Sequence, residues 1–285
     1  IEMISYKVVE RLLSDFVTDF NVVDVDGFYD FIKGFHLDCD FPCDMGYIKR
    51  PERYDIRKIF PDAKSIVVCI FQYSNDDYEK RYKDLIASIE DPYDFVLKRY
   101  KKVNKDVLKI NSRLIARYLL FDDYHKVIKD RLKVVVAELK KNNPQLKVKI
   151  FVDSFPVFEK ILGFYAGLGF IGRNTLLISP KYGSYIFIGG FFTNLEIEKK
   201  DDIRIEFQKI CDDCKLCEER CPTKALKDRR LNPFRCTSYW TTHNRDGTIP
   251  KDIIEKSLYI FGCDICQEVC PYNKKVISKA PLFVI

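Results

Sequence analysis

The chain has 285 residues, of which 47% are hydrophobic, 32% charged and 14% aromatic. That composition excludes a disordered, collagen-like or coiled-coil protein and leaves room for two domains. Its 48 basic and 42 acidic side chains give a formal charge of +6, which permits a polyanionic partner without requiring one. The longest apolar runs, such as residues 185–192, stop short of the roughly 18 residues that span a bilayer. With no basic-then-apolar leader visible, the chain reads as soluble, unexported and cytoplasmic.

In chain order, residues 5–20 carry helical amphipathicity, and a loop containing Gly, Asp and Cys follows to about residue 50. Cys39 and Cys43 lie there with no second pair to complete a metal site. Residues 65–73, SIVVCIFQY, are apolar and β-branched and predict a buried strand with Cys69 as a core thiol. Residues 94–120 read as a helix. Between 98 and 117, Lys98, Arg99, Lys101, Lys102, Lys105, Lys109, Arg113 and Arg117 face only Asp106, a local charge of +7. Such a face is either solvated or a phosphate-binding surface. A second basic helix, 123–141, places Ile128, Leu132, Val135 and Leu139 on one face. Asp123 and His125 half-match the D-x-H-x-x-G box that ligates cobalt in corrinoid proteins. The glycine is missing and the match opens a helix, so His125 is not read as a cobalt ligand.

Residues 147–152 predict a strand, and Pro156 should open a helix reaching 163–167. Asp153 then stands at a strand end, where its carboxylate either faces a pocket or caps the helix with Ser154. Gly167, Gly169 and Gly172 spell G-x-G-x-x-G, but after a helix and before the β-rich stretch 174–179, the reverse of a dinucleotide loop. Close approach of backbone to some other large flat ligand is the preferred reading.

Eight of the eleven cysteines fall between 211 and 270. Residues 211–222, CDDCKLCEERCP, are the bacterial ferredoxin ligand run, and CDICQEVCP at 263–271 is the same run without its first cysteine. Cys236 completes the count for two [4Fe-4S] clusters. Because the fourth cysteine of such a run crosses to the other cluster, one set is Cys211, Cys214, Cys217 and Cys270 and the other is Cys221, Cys236, Cys263 and Cys266. Pro222 and Pro271 fix the turn after each crossing ligand. The alternative, two four-cysteine zinc sites, does not call for runs closed by Cys-Pro.

These segments together carry a resemblance. VDSFPVFEK (152–160), AGLGFIGRNTLL (166–177), ARYLLFDDYHKVIKDRL (116–132), the 211–226 cysteine run, CTSYW (236–240) and FGCDICQEVCPYN (261–273) resemble the epoxyqueuosine reductase family over most of residues 45–275. The resemblance implies a nitroreductase-like α/β (α+β) cobalamin-binding domain over 1–200 and a ferredoxin-like domain with two [4Fe-4S] clusters over 201–285. It implies reduction of the epoxide of epoxyqueuosine at the wobble position of a tRNA anticodon, with electrons from an external donor and a monomeric enzyme. Asp153 matches the acid that protonates the epoxide oxygen. Arg53, Tyr118, Arg173, Asn174, Ser238 and Asp264, with Asp153, match cobalamin contacts. Affinity for tRNA is expected from 98–117 with Lys224, Lys227, Arg229 and Arg230. Two further readings fit part of the chain: a corrinoid reductase of another substrate, such as a reductive dehalogenase, and a plain iron–sulfur electron carrier, which leaves Asp153 and the glycine motif unused.

Overall fold

The computed structural model of the protein describes residues 3–34, 46, 48–74, 76–100, 103–200, 208–244, 246–274, 276–277 and 283, with backbone only at 76–80 and 208–210. His36, Cys39, Cys43, Lys101 and Lys102 lie outside the described residues. Helix α1 (Tyr6–Leu13) leads into strand β1 (Asp19–Asp24), helix α2 (Val25–Lys33) and strand β2 (Ser65–Gln72). Helices α3 (Asp76–Ser88), α4 (Pro92–Arg99) and α5 (Tyr124–Asn142) precede strand β3 (Val148–Val152) and helix α6 (Glu159–Tyr165). Short strands β4 (Phe170–Ile171) and β5 (Leu177–Ile178) form a hairpin before strand β6 (Ile186–Thr193). The cysteine-rich part holds α7 (Gln208–Asp213), α8 (Leu216–Arg220), the hairpin β7 (Leu226–Lys227) and β8 (Arg230–Leu231), α9 (Lys251–Lys256) and α10 (Ile265–Glu268).

The main sheet is antiparallel in the order β1-β2-β6-β3. Every residue of β2 is buried, as its unbroken apolar run predicts, and alternate side chains feed two cores. Val67, Cys69 and Phe71 pack with Val9 and Leu13 of α1 and with Ile128, Leu132, Val135 and Leu139 of α5. Ile66, Val68 and Ile70 pack with Phe28 and Ile32 of α2 and Leu162 of α6. Helices therefore cover both faces, the layered mixture of helix and sheet expected. A third core joins Tyr82, Val96, Val107 and Ile115 to Tyr239, Trp240, Ile249 and Phe261. Ile115 and Phe261 also form a parallel β-bridge there.

Four local expectations are corrected. The helix expected over 5–20 stops at Leu13, and the Thr18 amide already donates to the Ile70 carbonyl at 2.9 Å as the chain joins the sheet. The loop expected to run on to residue 50 contains α2, whose first turn is capped by the Asp24 side chain accepting from the Gly27 amide. The helix expected over 94–120 ends at Arg99. Continued, it would stack Lys101, Lys105, Lys109, Arg113 and Arg117 at successive i,i+4 positions, where like charges repel. Tyr100 is extended instead, Asn104 caps a 3-10 turn over Lys105–Lys109, and a second 3-10 turn covers Arg117–Leu120. Finally, Pro156 does not begin a helix: the Val157 amide closes a tight turn on the Phe155 carbonyl at 2.8 Å, so α6 begins at Glu159.

Candidate active site and thiolate quartets

Helix α5 returns along β3 after a short turn, which brings its first residues beside the end of that strand. Asp153, the residue after β3, adopts φ 49°, a left-handed conformation that a non-glycine residue holds at a cost of order 1 kcal/mol or more. Its carboxylate, 58% exposed, meets the start of α5: Oδ2 accepts from Tyr124 Oη at 3.0 Å and lies 2.9 Å from His125 Nε2. His125 Nδ1 lies 2.8 Å from Asp123 Oδ1, and Asp123 also caps α5 through the His125 amide. The His125 hydrogen bond first, then that of Tyr124, hold Asp153 below the usual carboxylate range against the opposing pull of burial. The same Asp153 bond leads in raising His125 above its ordinary 6.5. Asp153 does not cap α6, whose N-cap is Phe158; its carboxylate meets Tyr124 and His125 instead.

Behind the carboxylate lies a stack of aromatic rings that continues into the core. Tyr73, Phe187 and Tyr124 stack in turn, with ring centroids 4.3 and 4.1 Å apart, and His125 stacks on Tyr124 at 4.0 Å. Tyr118 is bonded to Tyr100, and burial raises its hydroxyl well above the ordinary value. Lys160 is exposed and donates to the Thr175 carbonyl at 2.8 Å, yet surrounding protein lowers its ammonium, and the nearby Cys266 opposes that shift. Lys160 thus lies within electrostatic reach of both Glu159 and Cys266. Burial, then the Asp153 charge, push Glu159 up to about 8, and Glu159 Oε1 is buried without a hydrogen-bond partner. Stacked aromatic rings, an exposed carboxylate and an orphaned carboxyl oxygen are side chains that suit contact with a large planar cofactor such as a corrin.

The glycine motif serves the chain itself. A Cβ on Gly169 would meet the Ile178 carbonyl oxygen at 2.4 Å, so the glycines permit the β4–β5 hairpin to close on its own backbone and not on a ligand. The hairpin carries Arg173 and Asn174 into the cysteine loops. The Arg173 amide donates to Cys211 Sγ at 3.3 Å and its guanidinium pairs with Glu218 at 2.8 Å. Asn174 Nδ2 donates to the Cys266 carbonyl at 3.3 Å.

Cys211, Cys214, Cys217 and Cys270 line one cavity with Arg173, Asn174 and Tyr272. The other four also neighbour one another: Cys263 feels Cys236 and Cys221, and Cys266 feels Cys263 and Cys236. Cys266 feels Cys217 as well, so the quartets are adjacent. Among the described residues no three His, Cys, Asp or Glu are grouped as one metal ion would need; the first quartet lines a cavity instead. Burial first, then neighbouring thiolates, push Cys217 and Cys270 up to about 11. Such quartets ionise together only around a positively charged core, which suits an iron–sulfur cluster. Backbone donors already point at the sulfurs: Ser238 and Tyr239 at Cys236, Tyr272 and Asn273 at Cys270, and Ala225 at Cys221 at 3.3 Å. Pro271, which has no N–H, lets the next two amides take the Cys270 sulfur.

Asp264, 1% exposed, is buried. Its Oδ2 accepts from the Arg117 amide at 2.7 Å and from Arg117 Nη1 at 3.3 Å. Arg117 also bonds Glu268 at 2.9 Å and lies over the Tyr82 ring at 4.4 Å. Arg117, 3% exposed, is thus withdrawn from any phosphate-binding face, a correction to the basic run, and Lys98 and Lys109 are paired with Asp94 and Asp106. Arg53 donates to the Val157 carbonyl at 2.8 Å, beside the turn that carries Asp153. Sequence reasoning missed the His125–Asp153 bond, Glu159, Lys160 and the Arg117–Asp264 pair. The D-x-H at the head of α5 was the one signal for the first.

Residues 53–154 match the family described as epoxyqueuosine reductase QueG, and 210–273 match a 4Fe-4S double cluster binding domain. The epoxyqueuosine reductase of Prochlorococcus marinus is 34% identical over 237 residues, covering 82% of this chain and 65% of the relative. That of Atelocyanobacterium thalassa is 31% identical, covering 84% of this chain and 68% of the relative. The chain spans about two thirds of the length of these curated relatives. In fold it is similar to an epoxyqueuosine reductase crystallised with an epoxyqueuosine-modified tRNA-Tyr stem loop, with TM-score 0.66 and 23% identity over 97% of this chain and 67% of that one. A reductive dehalogenase structure described in terms of B12-dependent dehalogenation shares the fold more distantly, with TM-score 0.52 and 13% identity over 93% of this chain and 31% of that one. Among the described residues no helix is long and apolar enough to cross a membrane.

Proposed function

The chain belongs to the epoxyqueuosine reductase family, and from that premise we propose that it reduces the epoxide of epoxyqueuosine in a tRNA anticodon to give queuosine. The observation that carries the reading is Asp153: an accessible carboxylate in a strained turn, held by Tyr124 and His125 in a chain that also brings together two cysteine quartets. In this reading residues 1–200 form the cobalamin-binding and catalytic unit and 201–285 the cluster unit. The quartets Cys211, Cys214, Cys217, Cys270 and Cys221, Cys236, Cys263, Cys266 hold two [4Fe-4S] clusters. Tyr118, Tyr124 and Asp153 would face the cobalamin. Arg53 would support the Asp153 turn, and Arg173, Asn174, Ser238 and Asp264 would support it from the cluster side. When bound, cobalamin supplies a cobalt-centred reductant for the epoxide carbon.

The protein groups perform the proton chemistry. An alkoxide is a poor leaving group in a site walled by aromatic rings, so an acid beside the oxygen carries much of the rate. Both hydrogen bonds to Asp153 fall on Oδ2, and Oδ1 takes neither, which leaves Oδ1 turned to a substrate. We further place the protein in the cytoplasm, where thiolates stay reduced, as a monomer fed by an external electron donor. The test is nucleoside mass analysis of epoxyqueuosine-containing tRNA after anaerobic incubation with reconstituted protein and a strong reductant. Loss of one oxygen only when cobalamin is present is the expected result. An intact epoxide with clusters and cobalamin both bound would redirect the assignment to a corrinoid reductase of another substrate.

A further inference from the structure

We propose that His125 is the proton-supplying and positioning partner of Asp153. This rests on the epoxide-reducing reading and adds the origin of the proton. Both ring nitrogens of His125 face carboxylate oxygens, Nδ1 at 2.8 Å from Asp123 and Nε2 at 2.9 Å from Asp153. Ionised carboxylates only accept, so a ring held between two of them donates from both nitrogens and is an imidazolium. The ring has few other places to go: it stacks on Tyr124, which stacks on Phe187, and its own amide is bound by Asp123. Tyr124 donates to the same Oδ2, which fixes the carboxylate rotation that presents Oδ1 outward.

Epoxide reduction to an alkene takes two electrons and two protons and releases one water. When the first C–O bond breaks, its electron pair remains on oxygen and takes the proton released from Nε2 by way of the Asp153 carboxylate. His125 becomes neutral, while Asp153 is ionised before and after. When the second C–O bond breaks, the hydroxyl leaves as water with a proton from solvent and the double bond forms. Both electrons come from the donor that feeds the clusters. The charged or titratable groups facing the pair are Asp123 and Tyr124 from α5, Glu159 from α6, His243 acting on Asp153 from the cysteine-rich part, and Arg53 acting through Glu159. The raised affinity of His125 for its proton agrees with this placement.

The experiment has two arms. Histidine C2-hydrogen exchange, read by mass spectrometry on the intact holoprotein, should show His125 titrating above 6.5 in the wild type and lower than that in D153N. Single-turnover epoxide loss should fall with rising pH as His125 loses its proton. In H125Q, whose amide keeps the bond to Asp153 but has no proton to give, the rate should fall about tenfold or more and that limb should flatten. An unchanged His125 titration in D153N, or a wild-type rate and limb in H125Q, overturns the proposal. If H125Q loses its clusters, D123N decides: it must lower the His125 titration and move the alkaline limb down by the same amount, and a limb that stays put overturns the idea. A wild-type protein that leaves the epoxide intact overturns the reaction reading alone, because the exchange arm needs no substrate.

Discussion

At the residue scale the proposed chemistry centres on one carboxylate carried by a strained turn. Replacing Asp153 with Asn preserves the shape and the Tyr124 bond but removes the carboxylate that passes the proton on. We expect D153N to bind cobalamin and retain iron at wild-type levels while turnover falls by about 10²-fold or more, measured by iron content, absorbance and epoxide loss. The pair also makes a signed prediction about stability. His125, raised above 6.5, adds stability that is complete below 6.5 and is lost as pH rises through its higher folded value. Asp153, lowered from 3.8, adds stability that is complete above 3.8 and is lost as pH falls through its lower folded value. Both contributions coexist between 3.8 and 6.5. The gap in urea midpoint between wild type and H125Q should therefore be widest near the middle of that window and close at alkaline pH.

At the element scale, α5 both buries a stripe against the sheet and delivers His125 to Asp153. Leu132 is fully buried in that stripe, so L132A should cost about 2–5 kcal/mol in urea unfolding and loosen the site from a distance. Gly262, at φ 65°, lets the loop before Cys263 lie against the 116–118 turn, where an added Cβ would come within 2.5 Å of Ala116. G262A should lower iron retention without touching a ligand, measured by iron content after gel filtration. How much of this was legible depended on range. The apolar run of β2 and the 4-3-4 stripe of α5 are local patterns, and the cysteine spacings are set by the chain itself. The stretch 94–120 was misread because its basic residues suit a helix one at a time and repel as a stripe. The partner that buries Arg117 lies 147 residues away, where no window of sequence reaches. Cys211 and Cys270 were joined across 59 positions only because the ferredoxin run carries its own crossing rule.

At the scale of the whole molecule, the Arg117–Asp264 pair ties the 3-10 turn Arg117–Leu120 to the loop between Cys263 and Cys266. The two side chains are 4% and 2% exposed. R117A would leave Asp264 buried and uncompensated, a change that costs about 3–5 kcal/mol; D264N in the same background should recover part of it, a coupling that a double-mutant cycle reads directly. The third core crosses the same boundary, with Tyr82 to Ile115 packed on Tyr239 to Phe261. Oxidative loss of iron would therefore not leave an intact catalytic half carrying an empty appendage. It would open the shared core, expose its aromatic residues to proteases, and couple the lifetime of the polypeptide to the integrity of its inorganic cargo.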